Sequence, residues 1–403
     1  MVKNTYVRRT YLSRIQPYIG KDLIKVITGM RRTGKSTIIA QIIEMLIKNG
    51  VTEEQILTYD FESRKDSHYE NSDELYDNIV AKIQGGRHTY IFLDEIQNID
   101  DWHKCLRALL TDMDADIFVT GSSSKMLSGE MASKLAGRYV ELQVLPFSFS
   151  EIIDYYRINN ITFEKTELFK QYVQYGGMPL IVTGEYNRMT TDSILNAMYD
   201  SVVINDIAGR KEIRNTNTLK EVLLYAMSET GHLVNSSNIR NYLKSQGKKA
   251  SVDSILEYLS AAEDAMFLTK ILRKDIRGKD LLKIDCKYYL TDWGPRESKG
   301  LNNSASIDQI LENIVCNELK YRGYDPTIGR INGLEIDFIA HKGNEMEYYQ
   351  VSYLLASEST VKREFSPLEC IPDNYPKYVL SMDLIDCSRN GIIHRNIIDW
   401  LLD

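Results

Sequence analysis

The sequence predicts an α/β protein that begins with a parallel β-sheet and continues into helical and mixed α/β parts. Three observations point there. Strand-like apolar runs alternate with helical periodicity over the first 145 residues, the pattern turns mostly helical after Pro146, and a length of 403 residues exceeds one ordinary domain.

Residues 23–28 (LIKVIT) form a short apolar run that ends at Gly29 and reads as a buried strand. From Lys35 to Lys48 the apolar residues Ile38, Ile39, Ile42, Ile43, Leu46 and Ile47 recur at helical spacing, and Gly50 supplies the stop. Further strands are expected at ILTYDF (56–61), YIFLD (90–94), IFVT (117–120) and YVELQV (139–144), with helices at 73–84 and 103–113. Such alternation implies parallel β-α-β units. Residues 150–210 are mostly helical in pattern, interrupted at Gly176-Gly177-Met178-Pro179. Residues 219–263 give three short helical segments, among them Ser236–Leu243 and Ser251–Ala262, and two strand-like runs (AMFLTKIL and KYYLT) flank Gly278. Three helices and a hairpin are the outline of a winged helix. A Gly, Asn and Ser-rich linker, Gly300 to Ser306, precedes a last α/β stretch, with a helix at 308–321 and strands at EIDFIA (335–340), YYQVSYL (348–354) and KYVLSMD (377–383). The expected domains are therefore 1–145, 146–215, 216–299 and 300–403.

Composition excludes several classes. A formal net charge of −7, dispersed along the chain, argues against a protein that coats nucleic acid or lies on an anionic membrane. Five cysteines without C-x-x-C spacing and six scattered histidines suggest a reducing compartment and no zinc site. No stretch approaches 18 uninterrupted apolar residues and the start lacks a signal-peptide core, so the expectation is a soluble cytoplasmic protein without a membrane partner.

Gly29-Met30-Arg31-Arg32-Thr33-Gly34-Lys35-Ser36 fits G-x-x-x-x-G-K-[ST], followed by Thr37. Its glycines let the backbone curl around phosphate oxygens, and the helix that opens at Gly34-Lys35 adds its positive end. Lys35 would reach the β- and γ-phosphates, and the Ser36 hydroxyl would ligate Mg²⁺. About 60 residues later, the apolar strand 90–93 ends in Asp94-Glu95. Asp94 would hold the Mg²⁺ shell, and Glu95 would polarise the attacking water. In IFVTGSSS (117–124), Ser122 or Ser123 would stand at the sheet's carboxyl edge, sensing γ-phosphate or orienting water; an ordinary Gly-Ser turn is the bland alternative. Arg138 would stabilise transition-state charge, in cis or from a neighbouring subunit, unless it is a plain surface arginine. Arg31 and Arg32 read as solvated charges within the loop.

With these motifs the sequence resembles the prokaryotic AAA-type ATPases whose P-loop domain is followed by a conserved carboxy-terminal domain of unassigned function. The resemblance rests on GMRRTGKST (29–37), YIFLDEIQNI (90–99), VTGSSSKML (119–127), LAGRYVELQVLPFSFSEI (135–152), YGGMP (175–179) and EIDFI (335–339), and it covers nearly the whole chain. It implies a five-stranded parallel sheet with the strand leading to Ser122 between the P-loop and Asp94 strands, then a helical lid, a winged helix and a tail similar to the restriction-endonuclease-like fold. In that tail Glu312 and Asp337 would be metal-binding acids. The family's Glu-x-Lys on the next strand is replaced by Gln350-Val351-Ser352. Gln350 is a poorer Mg²⁺ ligand than a carboxylate, and Ser352 cannot act as the lysine, so the tail is expected not to cut.

The expected function is hydrolysis of Mg-ATP to ADP and phosphate by an AAA-type enzyme; the preference for ATP is what the resemblance implies, and no guanine-reading N-K-x-D motif is present. The alternative is a nucleotide-gated switch with slow hydrolysis that binds DNA or a protein through the winged helix. Lys244, Lys248, Lys249, Lys270, Arg273, Lys274, Arg277, Lys279 and Lys283 would supply its phosphate contacts. Oligomerisation is compatible with either.

Overall fold

The computed structural model describes residues 6–69, 71–83, 87–127, 134–135, 137–209, 213–276 and 281–403, with backbone alone at 125, 127 and 281–285. The chain divides into two compact units, Met1–Val144 with Asp264–Met266, and Leu145–Glu263 with Phe267–Asp403.

The first unit is built on five parallel strands: β1 (Ile24–Thr28), β2 (Ile56–Asp60), β3 (Thr89–Asp94), β4 (Ala115–Gly121) and β5 (Tyr139–Gln143). Their order is β2-β3-β4-β1-β5, so β4 lies between the strands that lead to the P-loop and to Asp94. The helices are α1 (Arg9–Ile15), α2 (Lys35–Lys48), α3 (Ser72–Lys82) and α4 (Trp102–Asp112). Ile24, Val26, Ile91, Leu93, Ile117 and Val119 from the strands pack with Leu106 and Leu109 of α4 and Leu75 and Ile79 of α3. Such a sheet, covered by helices, buries whole strands rather than alternate residues. All of β1 is buried, Lys25 included. Its ammonium is paired with Asp116 of β4, whose other carboxylate oxygen accepts from the Gly20 amide at 2.8 Å.

The second unit opens with α5 (Phe149–Ile158), which begins in a capping box. The Ser148 hydroxyl accepts from the Glu151 amide at 3.2 Å, and the Glu151 carboxylate accepts from the Ser148 amide at 3.1 Å. The run LPFSFSEI thus carries a helix start. Helices α6 (Lys165–Tyr175), α7 (Pro179–Thr183) and α8 (Arg188–Ser201) follow, and α8 passes into a π-helical turn at Val202–Ala208.

Next come α9 (Thr216–Ser228), the short strand β6 (Leu233–Val234), α10 (Ser236–Ser245), α11 (Val252–Asp264), β7 (Leu268–Asp275) and β8 (Leu281–Leu290). After α12 (Gly294–Ser298) and α13 (Ile307–Tyr321), the chain forms β9 (Asp325–Ile331), β10 (Leu334–Lys342), β11 (Glu345–Val351), α14 (Glu358–Glu369), β12 (Lys377–Ser381), β13 (Ile393–Asn396) and α15 (Ile397–Trp400). One eight-stranded sheet, in the order β13-β12-β11-β10-β9-β7-β8-β6, contains all the strands from β6 onward.

Two sequence expectations change here. The hairpin strand β7 pairs in parallel with β9 through Arg273, Lys274 and Asp275, so hairpin and tail share a sheet rather than standing apart. Residues 300–306 are correspondingly no loose spacer. Asn303 is fully buried, and its side-chain amide donates to Gln174 O at 2.8 Å and to Trp293 O at 3.1 Å. The loop around Gly278, with Arg277 and Lys279, lies outside the described residues, as does the side chain of Lys283.

Candidate functional site

At the carboxyl edge of the first sheet, β1, β3 and β4 deliver the chemistry their sequences carry. Gly29 follows β1 and passes close under the chain after β5: a Cβ there would lie 2.5 Å from Val144 O, which only glycine avoids. The Thr33 hydroxyl donates to Met30 O at 2.9 Å, closing the loop before α2 begins. Thr33, Met30 and Lys35 are buried, whereas Arg32, Ser36 and Thr37 are exposed. Arg31 forms an ion pair with Glu62 at 2.5 Å, and Arg32 adopts a left-handed φ of 70°.

The Lys35 ammonium lies across the mouth of its own loop. It donates to Gly29 O at 3.1 Å and Met30 O at 3.4 Å, and it stands 3.2 Å from Glu95 Oε1. Glu95 has a left-handed φ of 54°, a conformation rare outside glycine that turns its carboxylate back under the sheet edge. Its other oxygen accepts from the Ser122 hydroxyl at 2.9 Å and from the Gln97 amide. Burial works to raise the Glu95 pKa, but the Lys35 charge and the hydrogen bonds from Gln97 and Ser122 outweigh it and hold the carboxyl below its ordinary value.

Asp94 sits opposite. It is hydrogen-bonded by the hydroxyls of Ser36 and Thr120. Burial raises its pKa, and the charges of Glu95 and Asp60 add to that rise against those two hydrogen bonds. Asp60 belongs here because the β2–β3 register pairs it with Asp94. The Ser36 hydroxyl and the Asp94 carboxylate are two oxygen donors already side by side at the start of a 14-residue helix. That donor set suits a hard divalent cation such as Mg²⁺.

The structure therefore brings together Lys35, Ser36, Asp94, Glu95 and Ser122, all chosen from sequence. Of the two candidate serines, Ser122 is the one bonded to Glu95; Ser123 is buried beside it. Arg138 lies apart from this group. Its carbonyl accepts from Ile24 N at 2.9 Å, which places it at the amino end of β1 and β5. The loop is at the other end, about four strand residues or roughly 13 Å away. Its side chain is exposed there, and the role in cis is not met.

Three residues that sequence reasoning missed also shape the site. Thr120 accepts from the Glu95 amide at 2.8 Å while bonding Asp94. The strand register, Leu93 beside Val119, would have put it there. Gln97 lies two residues past Glu95, inside the quoted motif. Arg8 has no local signal at all. It is buried, donates to Thr33 O at 3.2 Å, and lies 4.4 Å from the ring centre of Tyr11.

In the second unit, Glu312 of α13 and Asp337 of β10 converge as the resemblance implies, but on a lysine. Lys287 of β8 is 3% exposed, with its ammonium 2.7 Å from Glu312 Oε1, 2.8 Å from Glu335 Oε1 and 3.9 Å from Asp337 Oδ1. Gln350 uses its amide on Glu364 at 3.0 Å and accepts from the Asp337 backbone at 2.9 Å. The Asp337 Oδ2 oxygen accepts from the Val351 amide at 2.8 Å. The basic cluster assigned to the hairpin is only partly available. Arg273 is buried 3.8 Å from Glu335, and Lys248 is paired with Glu221 at 2.6 Å. Lys244, Lys249 and Lys270 are exposed.

A P-loop beside a strand-borne Asp-Glu pair on a parallel sheet of order β2-β3-β4-β1-β5 defines a P-loop ATPase fold of the AAA type. Family comparison agrees: an AAA domain matches residues 21–153, and a domain of unknown function, DUF8612, matches residues 166–304. The chain is 35% identical over 404 residues to an uncharacterized protein of Haemophilus influenzae, covering 100% of both chains. It is 31% identical over 360 residues to an uncharacterized protein of Methanocaldococcus jannaschii, covering 86% of this chain and 78% of that one. The chain belongs to the family of AAA-domain proteins that these two relatives represent. A solved Walker-type ATPase of Pyrococcus abyssi is similar over 74% of this chain and 97% of its own, at 16% identity and a TM-score of 0.48. The DUF8612 match ends at residue 304, so the endonuclease-like reading of 300–403 stays an expectation of the sequence resemblance. Among the described residues no helix is long and apolar enough to cross a membrane.

Proposed function

We propose that this chain hydrolyses Mg-ATP to ADP and phosphate at the Lys35–Glu95 centre. The observation that carries the reading is the shared position of Lys35: one ammonium bridges the phosphate loop and the acid that would act on water. In the arrangement seen, the Glu95 carboxylate is occupied by Lys35, Ser122 and Gln97. Triphosphate oxygens entering the loop would draw the ammonium toward themselves, because the several charges of a triphosphate outcompete a single carboxylate and two carbonyls. Glu95 then loses one partner and gains a free oxygen to orient and deprotonate water. Ser122 would keep the remaining oxygen in place. The residues to hold Mg²⁺ are Ser36 and Asp94, and the bound ion would supply charge neutralisation across the β- and γ-phosphates. Glycines 29 and 34 and the backbone from Met30 to Thr37 would enclose those phosphates.

Glu95→Gln tests the division of labour. It should keep ATP binding and lose turnover; unchanged turnover would remove Glu95 from the mechanism.

A second reading, a nucleotide-gated switch with slow hydrolysis, is favoured by one observation. The order α9, β6, α10, α11, β7, β8, with β6 paired to β8, supports a winged helix, and the exposed Lys244, Lys249 and Lys270 supply charge for a DNA backbone. Fluorescence-anisotropy titration with duplex DNA at low salt tests it. Binding that weakens as Lys270→Glu and Lys249→Glu are introduced would support the switch, and absence of binding would end its DNA form.

A further inference from the structure

The carboxylates of the C-terminal sheet are arranged like a metal site and yet surround a lysine. Lys287 comes from β8, an element outside the segment 300–403 that supplies the acids. Its ammonium lies 2.7 Å from Glu312 of α13 and 2.8 Å from Glu335 of β10, with Asp337 at 3.9 Å. The Tyr289 hydroxyl, two residues along β8 on the same face, donates to the same Glu312 oxygen. Asp337 spends its second oxygen on the Val351 amide, and the residue that would complete a carboxylate set, Gln350, is neutral and bonded to Glu364. Among the described residues no three Asp, Glu, His or Cys side chains are disposed to hold a metal ion.

We propose that this cluster is a metal-free joint, in which the Lys287 ammonium stands where a divalent cation would stand and fastens the β7–β8 hairpin to α13 and β10. A cation is favoured there on physical grounds. Glu312 and Asp337 are partly buried and Lys287 almost wholly so, and carboxylates gathered away from water are stabilised by a positive partner or a proton. The chain supplies that partner covalently, at no cost in binding entropy and with no dependence on metal supply. A monovalent ammonium has neither a bound water to activate nor an open coordination position, so the joint cannot carry out metal-assisted phosphodiester cleavage. This is a stronger reason for a non-cutting tail than Gln350 and Ser352 alone, because the site is filled as well as incomplete. Where β7 and β9 pair to make the sheet continuous, the ion pair adds a side-chain tie from β8 to β10.

The test is thermal unfolding of the full chain, without nucleotide, across a titration of Mn²⁺, in an Asp94→Asn background that removes the acid beside the P-loop. The parent should show no saturable rise in its midpoint. Lys287→Met should unfold about 5–15 °C lower, the range for breaking a buried ion pair in a unit of this size. Mn²⁺ should then return part of that loss by taking the vacated position. If Lys287→Met does not fold, Lys287→Met with Glu335→Gln relieves the excess negative charge and should show the same Mn²⁺ response. A saturable rise in the parent, or a lysine-free variant that Mn²⁺ leaves unmoved, would overturn the proposal, as would Mn²⁺-dependent nicking of plasmid by the parent that Asp337→Ala abolishes.

Discussion

Lys35 Nζ stands 3.2 Å from Glu95 Oε1, so the phosphate-binding cation and the water-activating acid of the proposed reaction are each other's partners. In the proposed reaction the first event would be an exchange of partners by the lysine. Glu95→Gln should therefore bind ATP as tightly as the parent or more so, since an amide releases the ammonium, while turnover falls by about 10²–10⁴-fold. Equilibrium binding of a fluorescent ATP analogue, set beside phosphate release, separates the two effects.

Ser122 should matter less. Its hydroxyl holds one Glu95 oxygen at 2.9 Å but supplies no charge. Ser122→Ala should lower kcat by about tenfold, the worth of a hydrogen bond to a charged group, with KM little changed. A loss as large as that of Glu95→Gln would mean that Ser122 touches the reacting phosphate itself.

Arg8 couples the segment before α1 to the loop. With its guanidinium gone, Thr33 O loses a buried donor and Tyr11 loses the cation over its ring. Arg8→Ala should cost the first unit about 1–3 kcal/mol. Nucleotide affinity should fall about tenfold, because the loop must then be ordered at the expense of binding energy. Urea unfolding with and without ATP measures both.

A pH effect is expected in the second unit. Asp292 is buried to 1% exposure and accepts from the Gly177 amide at 2.8 Å and the Gly294 amide at 3.0 Å. Gly176 has φ 77°, and a Cβ there would lie 2.3 Å from Asp292 Oδ1, while one at Gly177 would lie 2.2 Å from Phe147 O, which explains the paired glycines of YGGMP. Burial pushes the Asp292 carboxyl up to about 7, against the pull of the backbone hydrogen bonds. In the unfolded chain an aspartate titrates near 4, so between those values the folded state binds the extra proton. Stability from this group is full below about pH 4 and declines as pH rises to about 7. Asp292→Asn, read by thermal unfolding from pH 4 to 8, should flatten that slope.

Much of the site was legible because its residues are local in sequence. A strand, a glycine loop and a helix lie within 23–48, and each acid or hydroxyl follows the strand that delivers it. The helices at 72–82, 102–112 and 307–321 follow their apolar periodicity closely. What escaped depends on contacts between distant segments. Arg8 reaches Thr33 across 25 residues, and Lys287 reaches Glu335 across the sheet; neither has any periodic or motif signature. Strand β9 was missed because DPTIGRI carries Pro326 and Gly329 in place of an alternating apolar run, and its pairing with β7 erased the expected linker. Arg138 precedes its strand, as the sequence places it, and in a parallel sheet that is the edge away from the loop, so it stands apart from the site within this chain. Trp293, without a visible role in sequence, is buried and donates to Tyr172 O at 2.9 Å.

The central claim is tested most directly by steady-state phosphate release from Mg-ATP by the purified full-length chain, beside Lys35→Ala. The account predicts turnover that depends on Mg²⁺ and disappears in Lys35→Ala. Tight ATP binding without phosphate release by the parent, or release that Lys35→Ala leaves intact, would contradict it.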